Sequence, residues 1–303
     1  LNVHKDDVIE MPSFNQSDYK IDFVLYDESV IEGNPFYQSY SDQTFIISNT
    51  AQTAQLGFIY QKDHENSVLF HSKYKRSDKK IWFDEVFDSF KKGGSQKYDV
   101  LRSGPIVQAS LNITSKHMLS EMTSPENMLQ RMGRLDRFGE NDVVNILRVA
   151  ITENVTNGSC KGSSAYFLNQ LNSLQTTKAW YDVLQNHLNG KVFQLAELYK
   201  LYREFYRQQE QLGDKSAVIQ DMDKAIKKSI DLINKKVIVR KEYNYEVQKS
   251  YKSNYNIGNV YINVFCFFCN FCFSRTVAAC SDSRFSIRFW ILLELGILVT
   301  PRS

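Results

Sequence analysis

The sequence predicts an α/β fold in which a doubly wound, mostly parallel sheet is followed by a helical C-terminal region. Three observations carry this. Short apolar, β-branched runs alternate with amphipathic stretches from about residue 44 to 150. Cap and turn residues fall between them, as at Ser77, Asp78 and Gly93-Gly94. Beyond about residue 155 the apolar residues recur only at three- and four-residue spacing. Strand–helix alternation of this length implies βαβ units, and such sheets bind ligands beyond the carboxyl ends of their strands.

Residues 1–40 read as a lead-in or linker, with a strand candidate at KIDFVLYD (20–27) and turn chemistry at Gly33-Asn34-Pro35. A sheet domain over 41–152 opens with TFIISN (44–49), which runs into a helix through TAQTAQLGFIYQK. SVLFHS (67–72) is the next strand. A helix follows over SDKKIWFDEVFDSFKKGG, with apolar positions at Ile81, Val86/Phe87 and Phe90. YDVLRSG (98–104), HMLSEM (117–122) and VNILRVA (144–150) supply further strands, and SPENMLQRMGRLDRF is read as a helix before the last of them. A helical extension over 153–250 carries apolar stripes at Phe167/Leu168/Leu171/Leu174, at Leu195/Leu198/Leu201/Phe205, and at Ile219/Met222/Ile226/Ile230/Ile233. Residues 251–303 form an atypical tail rich in cysteine and aromatic residues.

Apolar content of 43% and charged content of 23% fit a soluble globular chain rather than a disordered one. A net charge of +3 permits nucleic-acid binding without requiring it. The run FWILLELGILV is too short to span a bilayer, and LNVHKDDVIEMPSF lacks the apolar core of a signal peptide. The expectation is a cytoplasmic protein without membrane contact. The first residue is Leu, which suggests a chain that begins partway through a longer one.

The stretch QRMGRLDRFGE (130–140) places three arginines and a glycine in the predicted helix. Gly133 would cost a helix interior about 1 kcal/mol relative to alanine, and Arg131, Arg134 and Arg137 lie close enough to repel. On a continuous helix Gln130, Arg134 and Arg137 would share one face, and Met128, Met132 and Leu135 another. Guanidinium forks suit phosphate oxygens; the other reading is a solvated basic face.

Here the sequence resembles a family. Q-x-x-G-R-x-x-R followed by Phe-Gly is similar to the sixth motif of superfamily 2 helicases, and LQRMGRLDRFGE resembles most the helicase-nuclease of type I CRISPR systems. FIISNTAQTAQ (45–55), VLFHSKYKRSDKK (68–80) and SGPIVQASLNIT (103–114) resemble further motifs of that family in the expected order. The resemblance implies a RecA-like fold over 41–152, the second motor domain of an ATP-dependent helicase. It implies that Arg134 and Arg137 are arginine fingers toward the ATP γ-phosphate, with Gln130, Gly133 and Asn112 beside the nucleotide. Asn49, Thr50, His71, Ser72 and Lys73 would contact nucleic acid. Thr50 also reads as a plain N-cap, His71 as a structural histidine, and Lys73, Lys75, Arg76, Lys79 and Lys80 as a solvated face. The implied partners are single-stranded DNA, a CRISPR RNA-guided surveillance complex and a first RecA-like domain in cis or trans, in antiviral defence.

The pattern also departs from the family. Gly104-Pro105 stands where Thr-Gln is usual, Gln108 where Glu is usual, and Asn112 where Asp is usual. Asn112 keeps the shape without the charge, and Pro105 removes a backbone donor. No G-x-x-x-x-G-K-[ST] occurs, so ATP and magnesium would be bound through the first domain, and this chain alone would be inactive. FDEVF (83–87) mimics an Asp-Glu-x-His box but lies in an amphipathic stretch and reads as helix surface and core. No resident metal is expected. CFFCNFC (266–272) has thiols at metal-ligand spacing, yet its aromatic neighbours favour a tail unrelated to the motor. The competing readings are another superfamily 2 motor acting on RNA or DNA, and a non-enzymatic partner-binding module that keeps the fold.

Overall fold

Each β-branched run becomes a strand in the computed structural model, which describes residues 15–61, 66–108 and 111–238. They are β1 (Asp18–Leu25), β2 (Thr44–Ile47), β3 (Ser67–Phe70), β4 (Val100–Ser103), β5 (His117–Glu121), β6 (Asn145–Ile151) and β7 (Val192–Gln194). Their order in the sheet is β3-β4-β2-β5-β6-β1-β7. All neighbours pair in parallel except β7, which lies antiparallel along β1. The expected CFFCNFC thiols and the FWILLELGILV run lie outside the described residues.

The helices are α1 (Ala51–Tyr60), α2 (Arg76–Phe90), α3 (Pro125–Met132), α4 (Glu153–Thr156), α5 (Ser163–Gln170), α6 (Leu174–Leu188), α7 (Leu195–Leu212) and α8 (Ala217–Ile238). Alternation along each strand sorts its side chains to the two faces of the sheet. Phe45, Ile47, Val68, Phe70, Leu101 and Met118 share one core with Val86 and Phe90 of α2 and with Trp180 and Leu184 of α6. Phe45 and Phe90 meet edge to face at 5.1 Å. On the other face Ile46, Val100, Leu119 and Ala150 pack with Phe36, under Tyr26, Tyr37 and Tyr40.

Two expected boundaries move. β1 falls within the expected lead-in of residues 1–40, yet it sits inside the sheet, matched residue for residue with β6 from Tyr19↔Asn145 to Leu25↔Ile151. The expected extension likewise returns a strand, β7, to the sheet edge and puts Trp180, Leu198 and Phe205 into the main core. Both segments complete the hydrophobic core and do not form a separate layer. FDEVF does lie on α2, with Val86 buried and Glu85 reaching Lys97 at the surface. Ile81 is 60% exposed, because the stripe runs through Trp82, Val86 and Phe90 instead. α6 is missing from the sequence reading, although Trp180, Leu184 and Leu188 keep a four-residue spacing. The stripe expected at Phe167, Leu168, Leu171 and Leu174 is divided between α5 and α6 by a turn at Asn172, whose φ is +50°.

Arg102 fastens the second face. Its guanidinium is 1% exposed and donates to Gln61 Oε1 (2.9 Å) and to the carbonyls of Phe36 and Gln38 (2.5 Å each). Burial pushes its pKa down to about 10, so at neutral pH it remains a cation held by neutral acceptors. Gly57 of α1 packs under this clamp. A Cβ there would stand 2.5 Å from the Phe36 carbonyl oxygen and 3.1 Å from Arg102 Nη1. Gly57→Ala is therefore expected to lower stability by about 1–3 kcal/mol despite the better helix propensity of alanine. A thermal melt with an unchanged or raised midpoint would contradict this packing.

Candidate functional site

The carboxyl ends of β2, β4 and β5 converge on a buried polar cluster whose centre is Arg131 of α3, 1% exposed. Its Nε donates to Gln108 Oε1 at 2.8 Å, after β4. Nη1 donates to Ser120 Oγ (3.0 Å) and to the Glu121 carbonyl (2.9 Å), both on β5. Nη2 donates to Asn49 Oδ1 at 2.9 Å, after β2. Asn49 in turn donates its side-chain amide to the Met122 carbonyl (2.8 Å) and its backbone N–H to the Glu121 carboxylate (2.6 Å). Gln108 Nε2 donates to Asn127 Oδ1 at 2.7 Å. Burial raises the Glu121 pKa, against hydrogen bonds from the Asn49 amide and the Ser164 hydroxyl. Burial pushes Arg131 down to about 10, with Glu121 opposing the shift.

α3 is clasped from behind by the helical region. Tyr206 and Tyr202 of α7 donate their hydroxyls to the buried Glu126 carboxylate, and Trp180 Nε1 donates to Met128 Sδ at 3.3 Å. The predicted helix stops early. α3 ends at Met132, Gly133 is its C-cap, and residues 134–140 form a loop. Gln130, Arg134 and Arg137 therefore do not share a helical face. Met128, Met132 and Leu135 are nonetheless all buried, Leu135 because the loop bridges to Ser115. Gly133 is not forced by crowding: a Cβ there would find only carbonyl oxygens at 3.5 Å, and φ is −63°.

Asp136, absent from the expected site, fixes the loop. It adopts φ +46°, a left-handed conformation that aspartate tolerates better than most residues. Its carboxylate accepts from the Glu140 amide (2.7 Å), the Ser17 hydroxyl (2.6 Å) and the Asn145 side chain (2.9 Å). The flanking arginines are gripped by neutral oxygens. Arg134 donates to the carbonyls of Val107, Gln108 and Gly133. Arg137 donates through Nε to Asn112 Oδ1 (2.5 Å) and through Nη1 to the Gly133 carbonyl (3.1 Å). Among the described residues neither arginine has an acid within ion-pair distance. Burial, then the neighbouring Arg137 charge, pushes Arg134 down to about 10; burial alone lowers Arg137.

The expected nucleic-acid residues divide into two groups. Thr50 caps α1, accepting from the Thr53 amide at 3.0 Å. Ser72 and Lys73 are exposed beyond β3. Asn49 and His71, by contrast, are buried, at 1% and 4% exposure. His71 Nδ1 accepts from the Lys73 amide at 3.1 Å, and its Nε2 lies 2.9 Å from the side-chain amide of Gln55. The imidazole stacks on Tyr74 at 4.2 Å. Of the expected nucleotide residues, Asn112, Gly133, Arg134 and Arg137 come together directly, while Gln130 lies in the last turn of α3.

The mostly parallel sheet, with an arginine loop and an N-capped helix at its strand ends, is a RecA-like α/β domain. Residues 41–140 match the family described as CRISPR-associated nuclease/helicase Cas3, C-terminal. A protein described as a CRISPR-associated nuclease/helicase Cas3 from Methanocaldococcus jannaschii is 30% identical over 97 residues, covering 31% of this chain and 13% of the relative. Cas3 of T. fusca with ADP superposes with a TM-score of 0.55 at 20% identity, over 73% of this chain and 27% of that one. A chain of a CRISPR RNA-guided surveillance complex in a pre-nicking state gives 0.53 at 20% identity, over 71% of this chain and 28% of that one. These structural likenesses show the fold, and the chain spans only about a quarter or less of the proteins it matches. Among the described residues no helix is long and apolar enough to cross a membrane.

Burial, then the charges of Lys73 and Lys79, hold the His71 pKa below its ordinary 6.5. The unfolded chain thus takes up a proton here more readily than the folded one. Stability falls as pH drops through 6.5 and keeps falling until the folded-state value is reached. His71→Gln should flatten that stretch of the stability–pH profile in urea unfolding. A profile parallel to the wild type would show that the histidine is not held neutral.

Proposed function

We propose that this chain provides the C-terminal motor half of an ATP-dependent superfamily 2 DNA helicase of CRISPR interference, acting in the cytoplasm in antiviral defence. The observation that carries this reading is the arginine loop. Arg134 is buried and Arg137 half-buried; they are adjacent, oriented by neutral oxygens, and among the described residues have no acid within ion-pair distance. A polyanion arriving from outside the domain would relieve both desolvation and mutual repulsion. A nucleotide triphosphate held by a first RecA-like domain, in cis or trans, has that chemistry. ATP with magnesium would supply the phosphoryl group transferred to water. Arg134 and Arg137 hold its terminal phosphate, Gln130 senses the nucleotide, and Asn112 and Gly133 set the Arg137 fork. Asn112 serves the positioning role without the charge an aspartate would add, which leaves Arg137 fully cationic toward phosphate.

Single-stranded DNA would run over the carboxyl ends of β2 and β3. The Ala51 and Gln52 amides lie in the first turn of α1, ahead of the Ala54→Thr50 bond, and offer donors to a phosphate beside the Thr50 hydroxyl. Ser72 and Lys73 add a hydroxyl and a charge. Asn49 and His71 would act from beneath, holding those loops in place. A CRISPR RNA-guided surveillance complex is the partner that would present the strand.

The chain alone is expected to show no DNA-stimulated ATP hydrolysis. Mixed with a first RecA-like domain that carries a G-x-x-x-x-G-K-[ST] loop, it should restore hydrolysis, and Arg137→Ala should lower the restored rate about a thousandfold. Turnover by the chain alone would refute this division of labour. A restored rate indifferent to both Arg134 and Arg137 would favour the partner-binding module instead.

A further inference from the structure

One cavity lies beside the site described so far. It lies between the start of α1 and helices α5 and α8, encloses about 540 Å³, and is lined by the rings of Tyr37, Tyr166 and Phe167 together with Gln52, Thr53 and Gln170. A volume of this order is on the scale of small-molecule sites. Its two charged wall residues are already engaged. Glu28 accepts from the Ser163 amide (2.6 Å) and the Ser164 amide (3.0 Å), capping α5, and Lys228 Nζ donates to the Gln170 carbonyl at 2.9 Å. What remains is aromatic, amide and hydroxyl surface, which suits a flat, neutral ring with hydrogen-bonding edges better than it suits a phosphate.

Tyr166 is 56% exposed, and while its backbone N–H donates to the Gly162 carbonyl at 3.0 Å, its hydroxyl makes no hydrogen bond among the described residues. Thr50 and Thr53 lie on the same wall, so the cavity opens beside the first turn of α1. We propose that this cavity receives an unpaired nucleobase of the single strand, stacked on Tyr166 and Tyr37, while its neighbouring phosphate rests on the α1 amides. The inference deepens the DNA-binding reading above and rests on it. Stacking on an aromatic ring tolerates any base, as a translocating motor requires. The cavity is also wired to the arginine cluster. Tyr26, on its wall, donates its hydroxyl to the Glu121 carboxylate at 3.4 Å, and that carboxylate holds the Asn49 amide.

The test compares, by fluorescence anisotropy with the full chain, a labelled oligothymidine strand and an abasic deoxyribose-phosphate strand of equal length. The base-bearing strand should bind about tenfold more tightly. Tyr166→Ala should remove most of that difference, and Tyr166→Phe, which keeps the ring, should preserve it. The exposure of Tyr166 makes both variants compatible with the fold. Equal affinity for the two strands, or a difference that survives Tyr166→Ala, overturns the inference while leaving DNA binding intact. Binding of neither strand removes both.

Discussion

The burial of the Arg131 guanidinium is the constraint on which the rest of the site depends. Taking a cation out of water costs several kcal/mol unless every donor finds an acceptor. Here the acceptors come from three separate strand ends: Asn49 after β2, Gln108 after β4, and Ser120 with the Glu121 carbonyl on β5. In the sheet β2 lies between β4 and β5, so the cation can be satisfied only once the parallel sheet has assembled in register. The same bonds fix the three loops that carry the candidate chemistry. Glu121 shares the cluster without a direct ion pair and joins it to β1 through Tyr26 and to α5 through Ser164.

From this anchor the arginine loop follows. α3 is held at its start by Glu126 against Tyr202 and Tyr206, and in its middle by Trp180 on Met128. With the helix immobile, Gly133 turns the chain, and Asp136 locks the turn through its left-handed backbone and its bonds to Ser17, Glu140 and Asn145. Arg134 and Arg137 are thus oriented before any anion arrives. Preorganised donors of this kind stabilise charge without reorganisation when it appears. The helical region beyond β6 contributes to the site through this clasp, which explains why it shares a core with the sheet.

Much of this was legible in the sequence, for local reasons. The β-branched runs mark six of the seven strands close to their positions, because parallel strands buried on both faces read as continuous apolar segments. The ordered motifs pointed to the loops at the strand ends. What escaped was decided by long-range pairing. β1 looks like a linker strand until Asn145–Ile151 stands beside it, and β7 spans only three residues. Arg131 looked like one more surface cation because the acceptors that permit its burial lie 10 to 82 positions away. Asn49 and His71 carry the family pattern, but burial turns their side chains inward, and no periodicity encodes that. The helix was extended too far because Leu135 continues the apolar spacing while in fact it packs through a loop bridge to Ser115.

The central claim is that the arginines are held in place by neutral oxygens before a nucleotide binds. Nitrogen-15 NMR of the arginine Nε–H groups in the nucleotide-free chain tests it most directly. Slowly exchanging, individually shifted Nε–H signals are expected for Arg131 and Arg137; Arg131→Lys removes the first, and Asn112→Ala moves the second into the solvent-exposed group. Rapidly exchanging signals at the free-arginine position for both residues would contradict it.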